Sequence, residues 1–522
     1  VKAMTVDQMA ALTSVQINKL TEEQVGVLTA AQVQAITTTD IQQLTNSQVQ
    51  ALTTTAVKGM LTEQISKLTA TQLANLTTAQ VAILTADQID SFTTDQISKL
   101  TAEQMGAMTT SQIKSIATDD LQKLTAAQIQ GITTDGVKAL LIEQVTAFTT
   151  AQISKLTEAQ VGVLSVAQAQ ALATDDLPNL TNAQVQALTT AAIRNLSTAQ
   201  LTSLTPTQVA NLTTAQIVSL TTVDQVPALT TAQVNKLTGD QIAAMTTAQI
   251  VAIATDDIQA LTNTSLQSIT TDGVKVLTTA QVAALTTAQI SRLTAEQIAV
   301  MTTAQIAAIE TSDVSKLTNE QIAAISTSGI NALTTVASGQ IDQLTASQLG
   351  SLTTAQVVAL STDAVKALST AQISKLSAEQ VAVLTTAQIA AIETTDLVKM
   401  TNSQIEAIST AGIVALTTTQ VNAITTSQIK ALTPVQMTAL ATDDIKVIGT
   451  DQLRLLSDEQ VGAISTAGIA ALTTTQVGQL KATELAAMST NQLQALDASQ
   501  IAVLTNSQLS ILGMTTTQIS AL

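Results

Sequence analysis

The sequence predicts an all-α solenoid in which each eight-residue repeat forms one short capped helix, wound at about 3.3–3.5 octads per superhelical turn. Three observations predict it: an apolar residue recurring at every eighth position, a helix-capping phrase at a fixed place in each repeat, and charge segregated along the repeat. The stretch Leu277 to Ile290, LTTAQVAALTTAQI, shows two consecutive copies. With Leu277 as position one, the same residue class recurs at Met4, Leu12, Leu20, Leu28, Ile36 and onward to Leu220. Residues 1–522 read as a single continuous octapeptide-repeat solenoid, with extra residues entering near 221–228, 334–343 and 505–513. Both ends cut through the octad, so the sequence reads as a segment of a longer array.

Each octad carries its own start signal. Thr at position two is a good N-cap, and Gln three residues later completes a capping box in which each side chain satisfies an orphan backbone donor. The apolar residues at positions one and six then stand where a hydrophobic staple needs them, as Leu277, Thr278, Gln281 and Val282 show. One uninterrupted helix is excluded, because eight residues overshoot two helical turns by about 80° and the apolar stripe would wander around the axis.

Charge supports the same reading, since acids favour a helix start and bases its end. Of 21 Lys and Arg, all but Lys481 occupy positions seven or eight. Of 38 acids, only Asp90, Asp342 and Glu406 fall outside positions two to five or their equivalent. Pro206 and Pro434 stand at the first helical position, where proline is tolerated, whereas Pro178 and Pro227 stand at position seven and predict a shortened helix there. All 11 Met and both Phe, Phe92 and Phe148, occupy positions one or six, which marks these columns as core. Two buried side chains cannot offset the entropy of ordering eight residues, so an octad needs stacked neighbours. The rival is a β-solenoid, favoured by Thr, Val and Ile; against it stand the Ala, Gln and Leu of the octad and only 17 Gly.

Composition narrows function. With no His, Cys, Trp or Tyr the chain lacks an imidazole base, a thiolate and ordinary zinc or redox ligands, so it reads as no enzyme, with no cofactor and no catalytic, cofactor-binding or metal residues assigned. A net charge of -17 without stacking aromatics predicts no nucleic-acid partner and a poor fit to anionic membranes. No apolar run reaches the roughly 20 residues of a transmembrane segment. A small-molecule ligand is not expected.

Departures from the consensus form a second rhythm. Asp replaces the position-five Gln at Asp40, Asp120, Asp176, Asp257, Asp313, Asp396 and Asp444. A base precedes six of these by 21 residues (Lys19, Lys99, Lys155, Lys236, Arg292 and Lys375), which suggests ion pairs between adjacent turns. Two octads after most of the Asp, position five becomes Gly or Ala, as at Gly136, Gly273, Gly329 and Gly412; close backbone approach or a bend is one reading, and a substitution that serves no purpose is the other. The doublets Asp119/Asp120, Asp175/Asp176, Asp256/Asp257 and Asp443/Asp444 raise calcium ligation or an acid/base pair, against the plainer reading of acids stabilised by helix dipoles. Asn75-Leu76-Thr77 and Asn211-Leu212-Thr213 match the N-glycosylation sequon, a match that arises whenever Asn fills position eight. The insertion at Val336 to Gly339 is the largest local departure, and its residues are all small.

Leu204 to Leu212, LTPTQVANL, resembles the opening of a TAL-effector DNA-binding repeat, but the resemblance ends after these nine residues and the charge has the wrong sign. Over essentially the whole chain, the LTTAQI and LTTAQV phrases resemble octapeptide arrays of very large, repetitive, secreted cell-surface proteins of Gram-negative bacteria, loosely classed with adhesins. That resemblance implies an extracellular setting on the cell surface. The expected function is a non-enzymatic scaffold forming a fibre, stalk or surface layer, self-associating into a filament or layer. The alternative is an adhesin array that binds a glycan or protein ligand.

Overall fold

The computed structural model describes residues 1–335 and 339–511. Among the described residues, every regular element is an α-helix of four to six residues or one of two 3-10 turns, Leu177–Asn179 and Ile341–Gln343, and none is a strand. The capping phrase explains the regularity. Thr278 Oγ1 accepts from the Gln281 backbone N–H at 3.1 Å, while Gln281 Oε1 accepts from the Thr278 N–H at 3.0 Å. The helix Thr279–Ala284 then runs until Leu285, whose extended backbone opens the next octad. Pro206 and Pro434 open their helices, and Pro178 lies in the first 3-10 turn, so the helix is shortened there as its position predicts.

The chain divides into two compact units, Val1–Ser268 and Ile269–Leu522. In the first, each helix packs on those three octads away: Thr78–Ile83 lies against both Thr54–Lys58 and Ala102–Ala107. The second repeats the pattern, with Asp458–Gly462 against Ala482–Ala487 and Thr442–Val447 against Thr466–Ala471. Hydrogen bonds set the pitch within each unit. Position-seven side chains reach carbonyls 25 residues ahead, as Gln34 does to Gly59 at 2.6 Å and Thr438 to Ala463 at 2.8 Å. Position-five Gln side chains reach carbonyls 28 to 31 residues behind. These offsets bracket one turn between three and four octads, around the predicted 3.3–3.5. Positions one and six fill the interior, with Leu277 at 5% and Val282 at 2% exposure, and Phe92 and Phe148 are buried among them.

Two insertions are absorbed inside a capping loop. In the first, the box is drawn between Thr221 and Gln225, four residues apart, with bonds of 3.0 and 3.1 Å. In the second, it is drawn between Thr334 and Gln340, six apart, with bonds of 3.1 and 3.0 Å. The stacking register survives both. After the second insertion the backward reach of Gln340 lengthens to 31 and 34 residues, and by Gln372 it has returned to 28 and 31. Three of the four small residues of Val336 to Gly339, and residues 512 and 513 of the departure near 505–513, lie outside the described residues.

Candidate functional site

The most regular chemical feature is the position-five column. Gln stands at the third helical residue, so its side chain folds back over its own helix start and Oε1 meets the N-cap N–H. That leaves the two Nε2 hydrogens pointing at the preceding turn. Gln80 donates to the carbonyls of Val49 at 3.1 Å, Gln50 at 3.1 Å and Leu52 at 2.7 Å, at the end of helix Asn46–Ala51. In the second unit, Gln404 donates to Ile373 at 2.9 Å and Leu376 at 2.7 Å. Carbonyls at a helix end have no partner inside the helix. One side chain therefore caps the start of its own helix and the end of another a turn earlier. Both glutamines are 2% exposed, where unpaired amide groups would be costly. Among the described residues, no buried side-chain nitrogen or oxygen lacks a hydrogen-bond partner.

This double role explains why the column holds Gln rather than the Glu that a capping box would equally accept, since a carboxylate has no hydrogen to donate. Glu484 is the exception that shows the requirement. Its Oε2 accepts from the Lys481 N–H at 2.7 Å and its Oε1 from Lys481 Nζ at 2.6 Å. The same Nζ donates at 3.2 Å to the carbonyl of Leu456, 28 residues before Glu484 and thus the acceptor an amide there would reach. Lys481, the one base outside positions seven and eight, supplies the missing donor.

At Asp octads the side chain is too short to reach back to those carbonyls, and at four of the seven a different bond replaces the amide. A position-three hydroxyl 26 residues earlier donates to the carboxylate: Ser14 to Asp40, Thr231 to Asp257 at 2.7 Å, and Thr287 to Asp313 and Thr370 to Asp396 at 2.6 Å. The expected bridge from a base 21 residues earlier is not formed: among the described residues no ion pair joins Lys19 to Asp40, Lys99 to Asp120, Lys155 to Asp176, Lys236 to Asp257 or Lys375 to Asp396. Those lysines lie at helix ends, where the dipole alone favours them. The exposed ion pairs are local, as in Lys138–Asp135 at 3.5 Å and Lys446–Asp443 at 3.0 Å.

At the Gly octads the place of a Cβ is taken by a side chain, an arrangement that Ile itself does not impose, since Ile36, Ile116, Ile424 and Ile448 precede Asp40, Asp120, Gln428 and Gln452. A Cβ on Gly136, Gly329, Gly412 or Gly468 would come within 2.8 Å of Cγ2 of the Ile four residues earlier, respectively Ile132, Ile325, Ile408 and Ile464. Where position five is Ala, at Ala56, Ala192 and Ala364, position one is Leu, which has no branch at Cβ. The crowding at these glycines comes from side chains, so the close backbone approach expected there is not what fills the space.

The ALTTAQ repeat matches nine times, at residues 113–150, 177–214, 223–252, 250–287, 306–337, 362–392, 389–426, 437–474 and 445–482, together more than half of the chain. The chain belongs to the ALTTAQ repeat family. A comparison with curated proteins gives no match.

Within this ALTTAQ array the aspartate doublets do not converge. Asp119, Asp175, Asp256 and Asp443 are exposed, whereas Asp120, Asp176, Asp257 and Asp444 face inward, so each pair diverges across the helix start. Among the described residues, no three acidic side chains gather where a metal ion could be held. Burial pushes the Asp444 carboxyl above the usual aspartate range, opposed by the Ala441 N–H and reinforced by neighbouring Asp443. Exposed position-four acids behave oppositely: Glu103, Glu296 and Glu459 are lowered by their own backbone N–H groups and by the hydroxyls of Thr101, Thr294 and Ser457. The sequon asparagines carry a structural bond, Asn75 donating to Thr71 O and Asn211 to Thr207 O, each at 2.8 Å. Open hollows of about 490 Å³ beside Lys155, Glu158 and Gln184 and of about 380 Å³ beside Asn402, Lys430 and Leu455 are among those on the surface. No described helix of this ALTTAQ chain is long and apolar enough to cross a membrane.

Proposed function

We propose that this ALTTAQ array is a non-enzymatic structural protein, a scaffold outside a bacterial cell that forms a fibre, stalk or surface layer. One observation carries the reading: the position-five amide, a polar group repeated in most octads, is buried and bonded turn to turn rather than presented to a ligand. Such a ladder adds one equivalent rung with each Gln octad, so the fold can be extended by repetition without redesign. Self-association into a filament or layer belongs to the same reading, as does the extracellular location that the octad phrases suggest. Electron microscopy of immunogold-labelled intact cells tests it. Label on surface filaments or a continuous layer supports the proposal, and label confined to the cell interior refutes it.

A further inference from the structure

The glutamine ladder is interrupted in pairs. In the first unit Asp40 and Ala56, Asp120 and Gly136, and Asp176 and Ala192 each remove two rungs from a stretch of three consecutive octads; in the second, Asp313 and Gly329, and Asp396 and Gly412, do the same. Three octads are most of one turn, so two of the three amide rungs joining such a turn to its predecessor are lost together, and at most one hydroxyl–carboxylate bond, as from Ser14 to Asp40, Thr287 to Asp313 or Thr370 to Asp396, stands in for them. The middle octad keeps its Gln: Gln48, Gln128, Gln184, Gln321 and Gln404 each bond backward at 28 residues.

The same octads are also weaker internally. Six of the seven Asp octads replace the position-two hydroxyl by Ala or Glu, at Ala117, Ala173, Ala254, Glu310, Glu393 and Ala441, so the cap that starts the helix is lost with the rung. By contrast, Gln64, Gln72, Gln80, Gln88, Gln96, Gln104 and Gln112 form an unbroken run, each donating to carbonyls of the turn before.

We propose that the paired interruptions are built-in yield seams, at which the array opens locally before the unbroken stretches between them do. Opening at a seam releases a block whose length is set by the spacing of the seams, 56 residues between Asp120 and Asp176 and 80 between Asp40 and Asp120. A load or denaturant then opens the array stepwise rather than as a whole. In a quasi-one-dimensional fold, where stability is a sum over repeats and their interfaces, such seams set where opening begins. The proposal concerns the opening of the fold and stands independently of where the molecule resides.

Native-state hydrogen exchange on the full chain, read by mass spectrometry, tests it. Peptides within 36–59, 116–139, 172–195, 309–332 and 392–415 should exchange about tenfold or more faster than peptides within 60–112. Restoring one seam with Asp313→Gln and Glu310→Thr should slow exchange across 309–332 by a similar factor. Creating one in the unbroken run with Gln72→Asp and Gln88→Ala should produce a new fast stretch around 68–91. Uniform exchange along the wild-type chain overturns the proposal, as does a seam pattern left unchanged by either pair of substitutions.

Discussion

Gln104→Glu isolates the second function of the glutamine column. Gln104 accepts from the Thr101 N–H at 2.8 Å and donates to Leu73 O at 2.9 Å and Leu76 O at 2.7 Å. Glutamate keeps the shape and the acceptor but points a buried carboxylate oxygen at those carbonyls. Two lost hydrogen bonds at about 1 kcal/mol each, plus a desolvated unpaired charge, put the cost at about 3–5 kcal/mol. A long repeat array does not unfold as one two-state unit, so the local opening free energy is the quantity to measure. Hydrogen exchange in peptides covering 73–76 and 101–108 should accelerate by roughly two to three orders of magnitude at neutral pH. The rescue is prescribed by Lys481 and Glu484: adding Thr101→Lys should place an ammonium where the amide was. The lysine forfeits a cap hydroxyl worth about 1 kcal/mol, so the double variant should recover only part of the loss, with a coupling of about 2 kcal/mol or more. The pH dependence has a definite sign. Burial without a donor raises the new carboxyl's folded pKa, so the variant approaches wild type below the ordinary glutamate range and loses stability as pH rises through the raised value. A cost under about 1 kcal/mol at neutral pH, or no coupling to Thr101→Lys, would falsify the double-capping argument.

Three further outcomes follow from the same geometry. Gly136→Ala should destabilise by about 1–3 kcal/mol, because overpacking against Ile132 Cγ2 outweighs the better helix propensity of alanine; adding Ile132→Leu should restore stability, and the local opening free energy from native-state hydrogen exchange reads both. Thr370→Val removes the 2.6 Å hydroxyl bond to buried Asp396 and should cost about 1–3 kcal/mol in the same assay. No change on that substitution would show that the hydroxyl bond does not hold the turns together. Asp444 has its pKa raised by burial, so the native state binds its proton more tightly than the unfolded chain. Its contribution is fully present below the ordinary aspartate value and is lost as pH rises through the native value. Asp444→Asn should therefore gain stability relative to wild type between mildly acidic and neutral pH, and parallel pH profiles of the two proteins would contradict this.

Most of the fold is legible in the octad. Thr278 and Gln281 announce the cap, Leu277 and Val282 the staple, and the charge columns the helix direction, because each is a local signal with a local cause. The spacing of the Asp octads also carries the pitch, since residues returning to one face record the winding. The role of Gln between turns was less visible, because a capping box already accounts for a Gln at that position. The signal was the near absence of Glu from the column, together with the coincidence of Lys481 and Glu484, two exceptions within one octad. The ion bridges expected from the 21-residue offset are absent at Lys19, Lys99, Lys155, Lys236 and Lys375, because helix-end charge preference alone generates that spacing. The hydroxyl partners of Asp40, Asp257, Asp313 and Asp396 were hidden by the abundance of Thr at position three. The crowding at Gly136, Gly329, Gly412 and Gly468 needed coordinates, since the approach of an Ile Cγ2 to the place of a Cβ is a matter of tenths of an ångström.

The central claim is that each buried glutamine joins two turns, and the exchange of its side-chain amide protons tests that most directly. In a chain labelled with nitrogen-15 at glutamine, the Nε2 protons of residues such as Gln80, Gln104 and Gln404 should exchange orders of magnitude more slowly than those of free glutamine, since both are bonded to carbonyls of the preceding turn. Exposed Gln8, in the first octads, should exchange at close to the free rate and serves as an internal control. Rapid exchange at every glutamine would contradict the account.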